Sequence, residues 1–315
     1  AAALGVNAIG RAYALSQGKT AKHGIKQVDR LLSNKAVDPA SLFSSWVPYV
    51  LGERTEARIA LDWTHFDSDK HSTIAAYLIT NHGRATPLVW KTFADAELTE
   101  GGRTDAEDTL LLRIQEVMPH GVRVILLADR GFGDVGLYEM LDRWGWDYVV
   151  RFRQDIHVTS AAGETKPARE WLSPKGHSKA MRGALVTAKQ YEVGAVVTVH
   201  APGMKDSWCL ATSLSDKTAR DVVDLYARRF TIEETFRDQK DPRFGLGMRH
   251  TRVASAERRD RLLLLAALAQ ALLTLLGAAG ERCGLGRGLE PNTSKKRSLS
   301  LFNQGCYWFE ALPNM

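Results

Sequence analysis

The chain has 315 residues, of which 44% are hydrophobic and 25% are charged. This composition excludes fibrous and disordered proteins and provides enough apolar material for a sizeable core. Lys and Arg outnumber Asp and Glu by 42 to 36, a formal net charge of +6, and the basic residues cluster at 19–30, 228–240 and 249–261. Such clusters suit a polyanionic partner, although each one alone is equally compatible with a solvated helix face.

The three cysteines, Cys209, Cys283 and Cys306, are scattered along the chain without a CxxC pair. They offer no structural zinc site and indicate a reducing, cytoplasmic location. No signal peptide opens the chain, and the pattern at Ala1 is already helical. We therefore expect that some N-terminal sequence is missing.

The first part of the chain, residues 1–54, has apolar residues at helical spacing and predicts a small helical region. Three strand-like runs follow at 57–63, 73–80 and 85–92, separated by turn-forming residues. We predict that these runs form a meander.

The next part alternates between helical and strand-like patterns, which is typical of an α/β layered core. Together with the meander it forms a predicted core segment at 55–152. Its elements are a helix at 105–118, a buried strand at 122–128, a helix at 135–144 and a strand at 148–152.

Residues 153–215 lose the helical period and contain short alternating runs, such as 184–193 and 196–200, broken by glycines. This pattern predicts a β-rich insertion. It lies between the α/β segment and the last helices, so the core would be built from two separated stretches of sequence.

Residues 216–282 contain two predicted helices, 218–240 and 254–280, and residues 283–315 form a tail without a predicted structure. The apolar stretch 262–280 is nearly long enough to cross a bilayer. Its Gly and Ala content and the lack of a second such stretch favour a buried core helix.

The segment 226–240 is the most informative. Tyr226, Arg229, Glu233 and Lys240 lie at offsets of 0, 3, 7 and 14, which places them on one stripe of a continuous helix. The stripe presents a carboxylate flanked by cations. From spacing alone, an amphipathic surface helix with ordinary salt bridges explains it as well.

The same four residues match at every position the spacing Tyr, two residues, Arg, three residues, Glu, six residues, Lys. This resembles the signature of the insertion-sequence-4 family of DDE transposases. Upstream, ALDWT with Asp62 and ILLADRGFGD with Asp129 resemble that family's two catalytic aspartates.

The resemblance covers about residues 20–280. It implies an α/β fold with a ribonuclease-H-like core, in which a mixed sheet is flanked by helices. It also implies a β-rich insertion before the helix that carries the glutamate.

The resemblance implies that Asp62, Asp129 and Glu233 are catalytic and hold two divalent metal ions, Mg²⁺ or Mn²⁺. Two ions can stabilise both the attacking and the leaving oxygen of a phosphodiester transfer. These hard ions prefer oxygen ligands, so carboxylates suit them better than Cys or His.

The resemblance also implies contacts with double-stranded DNA. Tyr226, Arg229 and Lys240 would contact phosphates, and Arg237 on the same helix is a further cation that we assign to DNA. Trp208 is similar to a tryptophan that relatives stack on a flipped base. As an aromatic residue it can stack on any base, since stacking requires no particular hydrogen-bond pattern. Its alternative is a tryptophan that caps the core of the insertion.

These features predict a transposase that cuts transposon ends and joins them to target DNA by a cut-and-paste route, as a homodimer on DNA in the cytoplasm, with no role for a membrane. A hairpin intermediate rests on the resemblance alone. The main alternative is a truncated or domesticated DNA-binding protein without catalytic activity.

A second alternative is a dinucleotide-binding oxidoreductase, because Gly131, Gly133 and Gly136 form a GxGxxG pattern with Asp155 beyond it. An acidic Asp129 directly before this turn would repel a pyrophosphate, and no second βαβ unit follows. Other acids near the proposed site are interpreted as turn or capping residues rather than a calcium loop. These acids are Asp67, Asp69 and Asp134.

Overall fold

The computed structural model describes residues 4–98, 102–241, 245–290, 293 and 297–311. Parts of four predicted regions lie outside the described residues. They are residues 1–3 of the N-terminal region, 99–101 of the core segment, 242–244 of the segment between the two late helices, and 291, 292, 294–296 and 312–315 of the tail.

The elements are numbered along the described chain. The helices are α1 (Val6–Ser16), α2 (Ala21–Ser33), α3 (Pro39–Leu51), α4 (Gly102–Val117), α5 (Val135–Trp144), α6 (Ala219–Ala227), α7 (Thr231–Lys240), α8 (Ala256–Arg282) and α9 (Leu301–Ala311). The strands are β1 (Glu56–Phe66), β2 (His71–Leu78), β3 (Thr86–Ala94), β4 (Arg123–Ala128), β5 (Asp147–Phe152), β6 (His157–Thr159), β7 (Thr165–Pro167), β8 (Lys179–Val186), β9 (Tyr191–Val199) and β10 (Trp208–Thr212).

The strands form one mixed sheet in the order β3-β2-β1-β4-β5-β10-β9-β8-β6-β7. The pairs β1–β4 and β4–β5 are parallel, whereas β2–β3 and the strands from β10 to β7 pair antiparallel. Helices α1, α2 and α3 precede β1, and the strands β6–β10 lie between β5 and α6. The predicted fold class, a mixed sheet flanked by helices with a β-rich insertion, is confirmed.

The chain divides into two compact units. The first comprises the described residues of Ala1–Gly52, Trp63–Met118 and Thr231–Met315. The second comprises Glu53–Asp62 and Pro119–Phe230. Strand β1 contributes its first part to the second unit and its last part to the first.

In the first unit every residue of β2 is buried, and α3, α4 and α8 pack against β3. Phe43 of α3 meets Trp90 edge to face at 4.9 Å, and Trp46 donates a hydrogen bond of 2.9 Å to the carbonyl of Pro87. Buried aromatic side chains of this kind contribute both apolar area and a directed polar bond. They fix α3 on the sheet.

Helix α8 is the one described helix that is long and apolar enough to cross a membrane, judged by length and composition only. It packs closely on α9, where a Cβ added to Gly305 would lie 1.7 Å from the carbonyl oxygen of Leu273. Only glycine permits this approach. Helix α9 lies in the tail for which the sequence predicted no structure. Its start signal is Ser300, whose hydroxyl accepts a 3.1 Å hydrogen bond from the amide of Asn303, as an N-cap does.

In the second unit, α5 and α6 pack against β5. Tyr138 of α5 stacks on Tyr148 of β5 at 5.2 Å, and burial raises the pKa of both hydroxyls. The predicted run at 184–193 is wrong as a single strand, because it crosses the turn between β8 and β9. Thr187 and Gln190 adopt positive φ angles in that turn, so no glycine marked it.

The predicted helix 218–240 is not continuous. A 3₁₀ turn at Arg228–Phe230 separates α6 from α7. The 100° step of an α-helix therefore does not run unbroken from Tyr226 to Glu233, and the prediction of one stripe on one helix is wrong. Neither glycine nor proline marks the break in the sequence.

Candidate active site

Asp62 and Asp129 extend the parallel register of β1 and β4. Leu61 pairs with Ala128, and each aspartate is the next residue of its strand or follows it directly. Neighbouring strands lie about 4.8 Å apart, and residues in register project to the same face. The register thus places two carboxylates that are distant in the sequence on neighbouring strands, Asp62 within β1 and Asp129 directly after β4.

Arg229 forms an ion pair with Asp62. Its Nη1 lies 2.9 Å from Oδ2 of Asp62, and the two side chains are 6% and 19% exposed. Burial by itself would lower the pKa of Arg229, but Tyr226, Asp62 and Asp129 outweigh it, and the pKa is raised. The guanidinium therefore stays charged and neutralises part of the acidic pair.

The turn after Asp129 is held by backbone amides that donate hydrogen bonds to aspartate side chains. The amide of Gly131 donates a 2.8 Å hydrogen bond to Oδ1 of Asp129, and the amide of Leu137 donates one of 2.9 Å to Asp134. Asp134 is the N-cap of α5, which confirms its predicted capping role. In a dinucleotide site the amides of this turn and of the helix start would be available for the pyrophosphate, but here they donate to Asp129 and Asp134. In addition, β10 pairs antiparallel with β5, so no second βαβ unit follows. The dinucleotide interpretation therefore has no structural support.

Three aromatic rings form a cluster in the same unit. The Trp208 ring lies 5.0 Å from that of Tyr226 in an edge-to-face contact and 5.7 Å from that of Phe230 in a stacked one. Tyr226 is fully buried, which raises its pKa, whereas Trp208 is half-buried and Phe230 is exposed. Two of the four motif residues, Tyr226 and Arg229, are therefore buried rather than presented on an open helix surface.

Arg151 of β5 continues the row of charged residues, and sequence reasoning missed it. Ala128 pairs with Val150, so Arg151 stands next to Asp129 in the register. Its Nη2 donates a 3.2 Å hydrogen bond to the carbonyl of Ser207. The sequence did contain a signal for it, because Arg151 is a charged residue near the end of the largely apolar strand β5. Such a residue requires either an ion-pair partner or a functional role.

Helix α7 carries the remaining predicted site residues and belongs to the first unit. Glu233 and Arg237 are exposed, and Arg237 pairs with Glu234 at 3.0 Å. Lys240 donates a 2.9 Å hydrogen bond to the carbonyl of His65, and its Nζ lies 5.1 Å from the ring centre of Phe66.

Polar contacts with the β2–β3 connection anchor the buried side of α7. Thr235 accepts a 2.9 Å hydrogen bond from the amide of Ala85, and Arg84 pairs with Asp238 through two nitrogens. Burial raises the pKa of Asp238 despite this arginine. These anchors were not predicted, because their partners lie about 150 residues away in the sequence.

The acids are suitable ligands for a hard cation, because each offers carboxylate oxygens. Asp62 and Asp129 belong to one compact unit and Glu233 to the other. Among the described residues, no group of three or more His, Cys, Asp or Glu side chains is gathered closely enough to hold a metal ion. The fit to a metal therefore rests on the pair of aspartates.

Residues 55–270, more than half of the chain, match the family model described as the transposase DDE domain. A search of curated proteins gave no match. Among solved structures, the chain is similar to Marinitoga piezophila Argonaute in complex with 5' OH guide RNA and target DNA, with 10% identity and a TM-score of 0.26. That similarity covers 57% of this chain and only 28% of the Argonaute. The family match is consistent with the resemblance to the insertion-sequence-4 family, and the chain belongs to the transposase DDE-domain family.

Proposed function

We propose that this protein is a DNA transposase that cuts transposon ends and transfers them to target DNA by a cut-and-paste route. One observation supports this best. Asp62 and Asp129 stand side by side at neighbouring positions of two parallel strands, within the region that matches the transposase DDE domain. Paired carboxylates at such a position are suited to metal-dependent phosphoryl transfer.

Members of the DDE family generally use divalent metal ions. In our proposal Asp62, Asp129 and Glu233 hold two such ions, Mg²⁺ or Mn²⁺. The ions, when bound, stabilise negative charge on the attacking and leaving oxygens of the phosphodiester. Asp62 would be shared by both ions, and Asp129 and Glu233 would each complete the ligands of one.

Arg229 has two tasks in this proposal. Without metal it neutralises Asp62 through the ion pair at 2.9 Å. In the presence of DNA its guanidinium donates to phosphate oxygens near the cleaved bond, for which its planar fork is well suited. Lys240 supplies a point charge to the same strand, and Arg237, exposed on α7, contacts a phosphate farther away.

Trp208 is proposed to stack on a base flipped out of the transposon end. Its support is the exposed Phe230 ring stacked against it at 5.7 Å, and the buried Tyr226 that holds it edge to face. A base meeting this cluster gains stacking without sequence-specific hydrogen bonds. Tyr226 therefore acts mainly by holding Trp208, with its hydroxyl directed to DNA only if the cluster opens.

The test uses the purified full chain, Mn²⁺ and DNA fragments that carry the ends flanking the gene. We expect nicking at the transposon boundary that releases a 3' hydroxyl, followed by strand transfer into a target plasmid. A Glu233→Gln variant should bind the same DNA but not cut it. A hairpin on the flanking DNA would be visible on a denaturing gel.

The second candidate, a DNA-binding protein without catalytic activity, makes a different prediction in the same assay. It would bind the ends with Mn²⁺ present and leave both strands intact, and Glu233→Gln would change nothing. Mass measurements on the protein–DNA complex would test the proposed homodimer. Both candidates act on DNA in the cytoplasm.

A further inference from the structure

A basic cleft of about 490 Å³ opens beside the Asp129 end of the sheet, in the second compact unit. We call it the arginine cleft. It is lined by Arg130, Arg151, Phe152, Arg153, Gln154 and Asp155. Its lining contains three arginines and one carboxylate, so the lining residues carry a net positive charge.

The inner wall of the arginine cleft is built by fixed side chains. Arg151 is only 14% exposed, and it donates to the Ser207 carbonyl, which also accepts a 3.3 Å hydrogen bond from Nε2 of Gln154. Nη2 of Arg151 also lies 3.9 Å from Oδ2 of Asp206. The fixed arginine costs little further entropy when a ligand binds.

The outer wall is formed by Arg130 and Arg153, which are exposed. Neither has an ion-pair partner within the part of the chain that the structure describes. Two exposed arginines that have no ion-pair partner repel one another, and a polyanionic ligand relieves this repulsion. Phe152 is buried, so this cleft offers no open ring for stacking a base.

The arginine cleft lies close to the proposed cleavage site. Arg130 directly follows Asp129, and Arg151 is the neighbour of Asp129 across the register of β4 and β5. Neighbouring strands are about 4.8 Å apart, and a nucleic acid strand advances about 3.4 Å per nucleotide. A phosphate held by these arginines would therefore lie about one to three nucleotides from the cleaved bond.

We propose that the arginine cleft binds a backbone phosphate of the DNA strand, about one to three nucleotides from the bond that is cut. The inference rests on the proposed function. Guanidinium forks bind phosphate oxygens in pairs and read no base, so this contact sets the register of the strand and carries no sequence preference. It assigns a task to three arginines that the family signature does not include.

The first experiment measures the affinity of the full chain for a short duplex at several salt concentrations by fluorescence anisotropy, without metal. Each of Arg130→Gln and Arg153→Gln should reduce the slope of log affinity against log salt by about 0.9, because one phosphate contact is lost. The matched control is Arg220→Gln, an exposed arginine on α6, whose slope should equal that of the wild type. Unchanged slopes in both cleft variants overturn the proposal.

The second experiment locates the phosphate. A set of transposon-end DNAs carries one neutral methylphosphonate each, moved along the strand from the cleaved bond. One substitution should weaken binding of the wild type and leave Arg153→Gln unaffected, since that variant has already lost the contact. If all positions weaken both proteins equally, or the affected position lies far from the cleaved bond, the assignment is wrong.

Both experiments measure binding, so their outcome is separable from that of the proposed function. A reduced slope in a protein that never cuts DNA would support the arginine cleft and reject catalysis. Normal cutting with unchanged slopes would reject the cleft alone. A third experiment measures the binding of NAD and of inorganic phosphate by calorimetry. NAD binding that is lost in Arg153→Gln would overturn the assignment of the cleft to DNA.

Discussion

Two Asp–Arg pairs in this protein are built alike and differ in exposure. In the second unit Arg229 pairs with Asp62, and its guanidinium lies 5.3 Å from the ring centre of Phe230. In the first unit Arg259 pairs with Asp69, and its guanidinium lies 3.9 Å from the ring centre of Phe66. The exposed fractions are 6% and 19% for Arg229 and Asp62, against 0% and 6% for Arg259 and Asp69.

The difference appears in the ionisation of the two arginines. Burial lowers the pKa of Arg259, since Asp69 and Asp260 compensate only part of the desolvation. Arg229 has a raised pKa because Tyr226 and two carboxylates surround it. A buried pair is held in place because separating it leaves an uncompensated charge. Asp62 is partly exposed, so we expect Arg229 and Asp62 to exchange partners more readily. Asp69 lies in the 3₁₀ turn Asp67–Asp69, which confirms its predicted turn role, and its side chain is also a buried structural acid that accepts from the amide of Val253.

The largest expected effect is on catalysis, where Asp62 should matter and Asp69 serves only the structure. Asp62→Asn should lower the rate of DNA cleavage by on the order of 10³-fold, because a group that positions the charge-stabilising ions is lost. The rate is measured under single-turnover conditions with Mn²⁺. Glu234→Gln, next to Glu233 and paired with Arg237 on the surface, is the matched control and should keep the wild-type rate. A fully active Asp62→Asn protein would contradict the proposed site.

The buried pair should control stability instead. Arg259→Met leaves Asp69 without its arginine and should lower the free energy of unfolding by about 3–5 kcal/mol, as is typical when one partner of a buried pair is removed. Urea denaturation measures this. The surface variant Arg220→Gln should change it by less than about 0.5 kcal/mol. Equal stabilities for both variants would show that the Asp69 pair is not structural.

The residue next to Arg259 gives a pH-dependent test of the same region. Burial raises the pKa of Asp260 from 3.8 to about 7, with partial compensation by Thr92 and Lys91. The folded protein therefore binds this proton more tightly than the unfolded chain does, and Asp260 makes stability fall as the pH rises from about 4 to about 7. Its contribution to the slope is at most about 1.4 kcal/mol per pH unit.

Asp260→Asn keeps an oxygen that can accept the 2.9 Å hydrogen bond from the amide of Thr92 and removes the ionisation. Its stability in urea should vary less with pH across this interval than that of the wild type. The comparison is made at several pH values in one buffer system. An unchanged pH profile would mean that Asp260 is charged throughout.

The smallest effect concerns the exchangeable pair. Arg229→Gln removes a positive charge from the oxygen of Asp62, so Mn²⁺ should bind the DNA-free protein more tightly, by about 1 kcal/mol or roughly fivefold. Electron paramagnetic resonance titration of free Mn²⁺ measures this without any DNA cleavage. Lys240→Gln is the control, because the hydrogen bond that Lys240 donates to His65 goes to a carbonyl and not to a carboxylate, and this variant should leave Mn²⁺ binding unchanged. Weaker Mn²⁺ binding in Arg229→Gln would show that the arginine assembles the site rather than competing for it.

Several elements were predictable because their signals are local. Helix α5 occupies the predicted range, 135–144, since Asp134 caps its start and Gly145 ends it in a left-handed conformation. Strand β4 differs from the predicted 122–128 by one residue. Asp129 directly follows β4, as the sequence pattern indicated, whereas β1 continues beyond Asp62 to Phe66, so the prediction that Asp62 ends its strand is wrong.

By itself the sequence determined the mixed α/β class and the approximate positions of elements such as β4 and α5, because periodicity and caps act over a few residues. The assignment of the two aspartates came from the resemblance of their surrounding motifs and stays a prediction. Only the tertiary structure decided the partner of Asp62, which lies 167 residues away, the burial of Tyr226 and the break between α6 and α7. Those outcomes depend on which charges and rings meet after the chain has folded. Contacts between distant segments outweigh the local preference for a continuous helix, and no short window of sequence contains them.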